Sequence, residues 1–117
     1  MKIRINNNSV RLRLNPEDAT QLTQEGKAMS ICHFPNGVFR YSVVASSREI
    51  ISADFTGGTI SVEIPSDQLL NWDKDDRVGF EFTTEEGLFI LVEKDFQCLQ
   101  PRKHENEDHL YPNPKAE

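Results

Sequence analysis

Apolar and polar residues alternate at period two in short runs, and a turn signal closes each run before it reaches the length of a helix. The chain is therefore committed to paired strands. Ile3, Ile5, Val10, Leu12 and Leu14 alternate with Lys2, Arg4, Arg11 and Arg13 across Asn7-Asn8, a pair suited to a two-residue turn with positive φ. The resulting hairpin sets Ile5 opposite Val10, Arg4 opposite Arg11, Ile3 opposite Leu12 and Lys2 opposite Arg13. A second runs from Met29 to Phe34 and from Val38 to Ala45 around Pro35-Asn36-Gly37. If glycine takes the left-handed position of a three-residue loop, Phe34 faces Val38 and Cys32 faces Arg40. Ile51, Ala53 and Phe55 lead into Gly57-Gly58 and Ile60, Val62 and Ile64 lead out, so Phe55 faces Ile60 and Ala53 faces Val62. A fourth strand pair joins Val78, Phe80 and Phe82 to Leu88–Glu93 through Glu85-Glu86-Gly87.

Two short helices interrupt the strands. Asn15-Pro16-Glu17-Asp18 supplies an N-cap, a proline at the first helical position and two acids in the first turn, and Gly26 stops the helix after about Glu25. Pro65-Ser66-Asp67 opens the other, which carries Leu69, Leu70 and Trp72 and ends between Asp73 and Asp76. The fold class is thus β-rich α+β: about eight antiparallel strands in four hairpins with two short helices, barrel-like or packed as two sheets.

At 117 residues one domain is expected, spanning residues 1–99, with a polar, proline-containing tail over 100–117 that is docked or disordered. Within it, residues 1–46 and 51–96 share the order hairpin, short helix, hairpin at an offset of fifty. Asn7-Asn8 matches Gly57-Gly58, Leu14 matches Ile64, Gly37 matches Gly87 and Phe39 matches Phe89. The match is one of pattern and implies a pseudo-twofold repeat. It breaks at Met29 and Ile31, which continue an apolar phase where the second half has Gly79 and Glu81.

Charge is uneven in a chain of net charge -6, because the first fourteen residues hold four cations and no acid while nine cations face nineteen acids thereafter. Like charges directly opposite one another destabilise a sheet by up to about 1 kcal/mol per pair, so this face needs acids from another strand or an anionic ligand. The offset proposes Asp54 and Glu63, which match Arg4 and Arg13, as internal partners, with Glu81 and Glu93 supplying the rest. Surplus charge on Lys2, Arg4, Arg11, Arg13 and Arg40 is then the candidate anion-binding set, for a protein partner or a small anionic ligand. The acidic remainder repels nucleic acid and anionic membrane, which sets both aside as partners.

Candidates for chemistry are weaker. Cys98, His104 and His109, with Glu105, Glu107 and Asp108 among them, are residue types that ligate zinc, but without a Cys-x-x-Cys they read first as a solvated segment. A thiol at Cys32 beside Arg40 would be activated by the cation, against the plainer reading of a small buried hydrophobe. His33 shares a phase with Ile31 and Phe39, which points to a core histidine. No Gly-rich phosphate loop, Gly-x-Ser-x-Gly or His-Glu-x-x-His is present. Arg40, Arg77 and Lys94 could join the hairpin cations as a polyanion tunnel of the triphosphate-tunnel type. That family begins with an alternating Glu-x-Glu-x-Lys strand, and Lys2-Ile3-Arg4 stands here instead. The expectation is a non-enzymatic binding or interaction domain without a cofactor, the alternative being a small enzyme or metal protein using Cys98 and the tail histidines.

The N-terminus has no apolar segment of signal-peptide type and the longest apolar run is Leu88–Val92, which points to the cytoplasm and to reduced Cys32 and Cys98. Outside such a compartment the two could pair. KIRINNNSVRLRL at the start and EKDFQCLQPR followed by an acidic run and YPNP near the end resemble a family of short bacterial proteins with no assigned activity. The resemblance implies a bacterial cytoplasmic protein in which Lys94, Asp95, Phe96, Cys98, Pro101 and Arg102 belong to the fold's definition. It carries over no catalytic residue.

Overall fold

A computed structural model describes residues 1–96. Eight strands, β1 (Lys2–Ile5), β2 (Ser9–Leu14), β3 (Lys27–Phe34), β4 (Gly37–Ser46), β5 (Ser52–Thr56), β6 (Thr59–Pro65), β7 (Gly79–Thr83) and β8 (Phe89–Lys94), form two four-stranded sheets. Sheet A has the order β1-β2-β8-β7 and sheet B the order β3-β4-β6-β5. Neither closes into a barrel. All four expected hairpins are antiparallel, but each sheet is mixed, because β2 pairs with β8 and β4 with β6 in parallel. Each sheet therefore joins one hairpin from each half of the chain, and long connections replace the continuous antiparallel path that the hairpins alone suggested.

The period-two alternation decides what enters the core. Val10, Leu12 and Leu14 of β2 point inward with Ile90 and Val92 of β8, while Ala28, Val43, Val62 and Ile64 of sheet B face the same buried cluster. Each fully buried Leu, Ile or Val contributes about 1.5–3 kcal/mol. Helix α1 (Pro16–Glu25) adds Ala19 and Leu22 from one face. Asn15 caps it: its side chain accepts from the Asp18 N–H at 2.8 Å, and the Asp18 carboxylate accepts from the Asn15 N–H. Gly26, at φ 83°, terminates the helix by donating to the Leu22 carbonyl and accepting from the Ala45 N–H. The second helix is a single 3-10 turn, Ser66–Leu69, which buries Leu69 but leaves Leu70 exposed. None of the described helices is long and apolar enough to cross a membrane.

The first and third hairpins have the expected registers. The second is shifted by one residue: Phe34 faces Gly37, His33 faces Val38, Cys32 faces Phe39 and Ile31 faces Arg40. Its loop is two residues, Pro35-Asn36, and Gly37 is an ordinary strand residue without positive φ. The three-residue loop occurs instead at Glu85-Glu86-Gly87, where Gly87 has φ 97° and Thr84 and Leu88 close the turn. In consequence β3 turns Ala28, Ser30 and Cys32 toward the core side and Met29, Ile31 and His33 outward. Cys32 and His33 are both exposed, so neither the buried thiol nor the core histidine materialises.

Candidate functional site

Lys2, Arg4, Arg11 and Arg13 point outward from β1 and β2, on the face opposite Ile3, Val10, Leu12 and Leu14. Arg4 lies directly opposite Arg11, and Lys2 opposite Arg13. With Glu93 from β8 they line a shallow groove of about 320 Å³. The expected hairpin patch is thus one continuous surface, and β8 extends it with Glu93, Leu91 and Phe89 on the same face.

Its acids differ from those the offset proposed. Glu93 holds Arg13 at 3.0 Å and Asp95 holds Lys2 at 2.9 Å. Asp54 and Glu63 stand on the outward face of sheet B, where Asp54 accepts from the Thr56 hydroxyl at 2.7 Å. The two hairpins went to different sheets, whose outer faces look away from each other. Glu81 is on the right face of sheet A, but two strand spacings separate β7 from β2, about 10 Å, and Leu91 lies between. Of the two supplementary acids named from the sequence, Glu93 alone reaches a cation. Exposed pairs of this kind contribute about 0.5 kcal/mol each. Among the described residues no acid lies within ion-pair distance of Arg4 or Arg11.

Arg40 does not join this set. It is half-buried on the outer face of sheet B, opposite Ile31. Arg77 and Lys94 are structural rather than part of a tunnel. The Arg77 guanidinium donates to the Asp75 carboxylate at 2.7 Å and to the Gln68 and Leu70 carbonyls at 2.8 and 3.0 Å, tying the Ser66–Val78 segment together. Lys94 donates to the Asp75 carbonyl at 2.6 Å, with its ammonium 5.5 Å from the Trp72 ring centre. Sequence periodicity missed this cluster because its members come from an irregular segment and a strand end. The nearby DKDDR run, Asp73–Arg77, was the available signal.

The Arg77 side chain, donating a hydrogen bond, is the main cause that holds the Asp75 carboxyl below its ordinary value of 3.8. A lowered folded-state value means that the stabilisation is complete above 3.8 and is lost as pH falls through that lower value. Asp75→Asn should therefore flatten the acid limb of the thermal stability profile, with the loss visible as a smaller difference between neutral and acidic midpoints. An acid limb identical to the parent's would refute the role given to Asp75.

Cys98, His104 and His109 lie outside the described residues, as does the whole tail, 100–117. Among the described residues no three His, Cys, Asp or Glu side chains gather as a metal site. Adjacent Cys32 and His33 point to opposite faces of β3. What the groove on sheet A offers is a pair of guanidinium groups whose donors have no acidic partner among the described residues, geometry suited to bidentate recognition of carboxylate or phosphate oxygens. A family model described as "Family of unknown function (DUF7009)" matches residues 1–115, and the chain belongs to that family. No curated protein and no solved structure matches it.

Proposed function

We propose that this member of a family of unknown function is a non-enzymatic binding module, whose outer face of sheet A holds an anionic ligand between Arg4 and Arg11. The observation that carries the reading is the juxtaposition of these two guanidinium groups across β1 and β2, with no acid in ion-pair distance among the described residues. Lys2 and Arg13 flank them, each already held by an acid, so the site has a charged centre and a neutralised rim. Its lining of Lys, Ile, Arg and Glu supplies no hydroxyl, thiol or imidazole to act as a nucleophile. That composition favours holding an anion over transforming it.

Calorimetric titration with tripolyphosphate and with polyglutamate tests the reading and separates phosphate from carboxylate recognition. Binding that weakens with added salt is expected, and Arg4→Ala together with Arg11→Ala should weaken it by about a hundredfold, from charge-assisted hydrogen bonds worth about 1.5–3 kcal/mol each. Arg40→Ala on the other sheet should leave it unchanged. Absence of binding by the parent protein to either polyanion, or full binding by the double variant, rules the site out.

We also infer that residues 1–46 and 51–96 are equivalent halves related by a pseudo-twofold axis. Sheet A read as β1-β2-β8-β7 becomes sheet B read as β5-β6-β4-β3 when each strand is exchanged for its counterpart fifty residues away, which supports the inference. The identical registers Lys2 with Arg13 and Ser52 with Glu63 support it too. Met29 and Ile31, which broke the apolar pattern, share the outward face of their sheet as Gly79 and Glu81 do of theirs. The departures are a ten-residue α-helix against a four-residue 3-10 turn, the one-residue difference between the Pro35-Asn36 and Glu85-Glu86-Gly87 loops, and a parallel register displaced by one residue, since Ser9 pairs with Phe89 but Thr59 with Arg40.

A further inference from the structure

Four strands lie at sheet edges, and three of them are short and charged on the outward face. β1 has four residues with Lys2 and Arg4, β5 has five with Asp54, and β7 has five with Glu81. β3 is longer, and its single charge is Lys27 at its first position. It has eight residues, and no Asp, Glu, Lys or Arg occurs between Lys27 and Arg40. Short length and charge are the usual means by which an edge is kept from pairing with another chain.

The free side of this edge can be identified. Gly26 accepts from the Ala45 N–H, which places that pair among those exchanging hydrogen bonds, and the alternation continues through Ala28, Ser30, Cys32 and Phe34. The main-chain N–H and C=O groups of Lys27, Met29, Ile31 and His33 therefore point away from β4. Among the described residues they have no other backbone partner. On the sheet face beside them Met29, Ile31 and Val38 are exposed by 39, 49 and 37%. An apolar strip thus runs next to an unsatisfied ladder.

We propose that β3 pairs antiparallel with β3 of a second copy of this chain, joining two B sheets into one eight-stranded sheet about a two-fold axis near Ile31. Outward-directed residues must face one another in such a ladder, and centring it on Ile31 sets Ile31 against Ile31 and Met29 against His33. The strand is self-complementary in this arrangement, since it brings no like charges together in a chain of net charge -6. A partner strand must supply an unbroken row of N–H donors and tolerate the apolar strip, and β3 does both. Residues 101–117, with three prolines and seven Asp, Glu, Lys and Arg residues, are chemically unsuited to that role.

Light scattering across a wide range of concentrations tests the contact. The parent protein should rise from the monomer mass to twice that mass, and its Met29, Ile31 and His33 amides should gain protection from hydrogen exchange together with the mass. Ile31→Lys and Ile31→Glu, both at an exposed position, should each weaken self-association by at least about a hundredfold, because the axis sets like charges together. Mixing the two variants should restore a heterodimer. A parent protein that stays monomeric throughout overturns the proposal, as does an Ile31→Lys variant that dimerises as tightly as the parent. A mixture that fails to reassociate while the parent dimerises overturns the β3-on-β3 geometry.

Discussion

Replacing Trp72 with alanine should destabilise the protein by about 4 kcal/mol, the largest loss expected from any single truncation among the described residues. Trp72 is fully buried although it follows a 3-10 turn in an irregular segment, and it anchors that segment on sheet A. Its ring lies 5.0 Å from that of Phe80 on β7, and its Nε1 donates to the Arg77 carbonyl at 3.1 Å. Truncation removes the ring, strands that carbonyl and leaves the Lys94 ammonium over empty space, so loss of packing and loss of a partly buried hydrogen bond act together. Trp72→Phe keeps most of the volume and should cost much less. Leu70, two residues earlier and 69% exposed, should tolerate alanine within about 0.5 kcal/mol. Urea denaturation followed by circular dichroism gives the comparison, since the chain has a single tryptophan and the variant loses its fluorescence probe. A loss below about 1 kcal/mol for Trp72→Ala would contradict the anchoring role.

Gly79→Ala should cost about 3 kcal/mol, or more if β7 detaches from β8. The reason is contact and not backbone conformation, since Gly79 is not among the residues with positive φ. A Cβ at this position would stand 2.1 Å from the Val92 carbonyl oxygen, 2.7 Å from the Glu93 Cα and 3.0 Å from its Cβ. Two of these atoms are main chain and cannot swing aside. Gly79 sits opposite Glu93, whose carboxylate holds Arg13, so forcing the strands apart also disturbs the rim of the cation groove. Gly37→Ala is the control: no atom lies within 4 Å of the point a Cβ would occupy there, and it should be tolerated. Equal denaturation midpoints for the two alanine variants would show that β7 and β8 relax more easily than this packing allows.

How far the residues themselves foretold this arrangement depended on distance along the chain. Alternation and turn chemistry act over a few residues, and there they sufficed: the registers of the first and third hairpins and both ends of α1 follow from Asn7-Asn8, Gly57-Gly58, Asn15, Asp18 and Gly26. Gly37 misled because glycine is permitted, not required, at a left-handed position, and Pro35-Asn36 closes the turn alone. One residue of slip then turned His33 and Ile31 off the core face, and left Cys32 on the core side but exposed. Met29 and Ile31 misled differently, as an apolar phase that faces outward. Which hairpins share a sheet is set by the parallel pairings, Ser9 with Phe89 in sheet A and Arg40 with Thr59 in sheet B, and no local pattern carries that information. The cation face and one of its acids were visible in Lys2, Arg4, Arg11, Arg13 and Glu93, but the role of Asp95 and the pairing of Glu93 with Arg13 follow only from β8 lying parallel to β2.

That parallel pairing also governs the order of events during synthesis. Ser9 is bonded in register with Phe89 and Leu14 with Lys94, so the apolar side of the first hairpin has no sheet to complete until the eighth strand has left the ribosome. Completing sheet A must close a long chain loop before β2 and β8 meet, a slow, topology-limited step beside the tight local turns that form sheet B. For most of its time as a nascent chain, β2 is an open edge bearing Val10, Leu12 and Leu14. Like charge on the four flanking cations then works against two such unfinished hairpins pairing with each other.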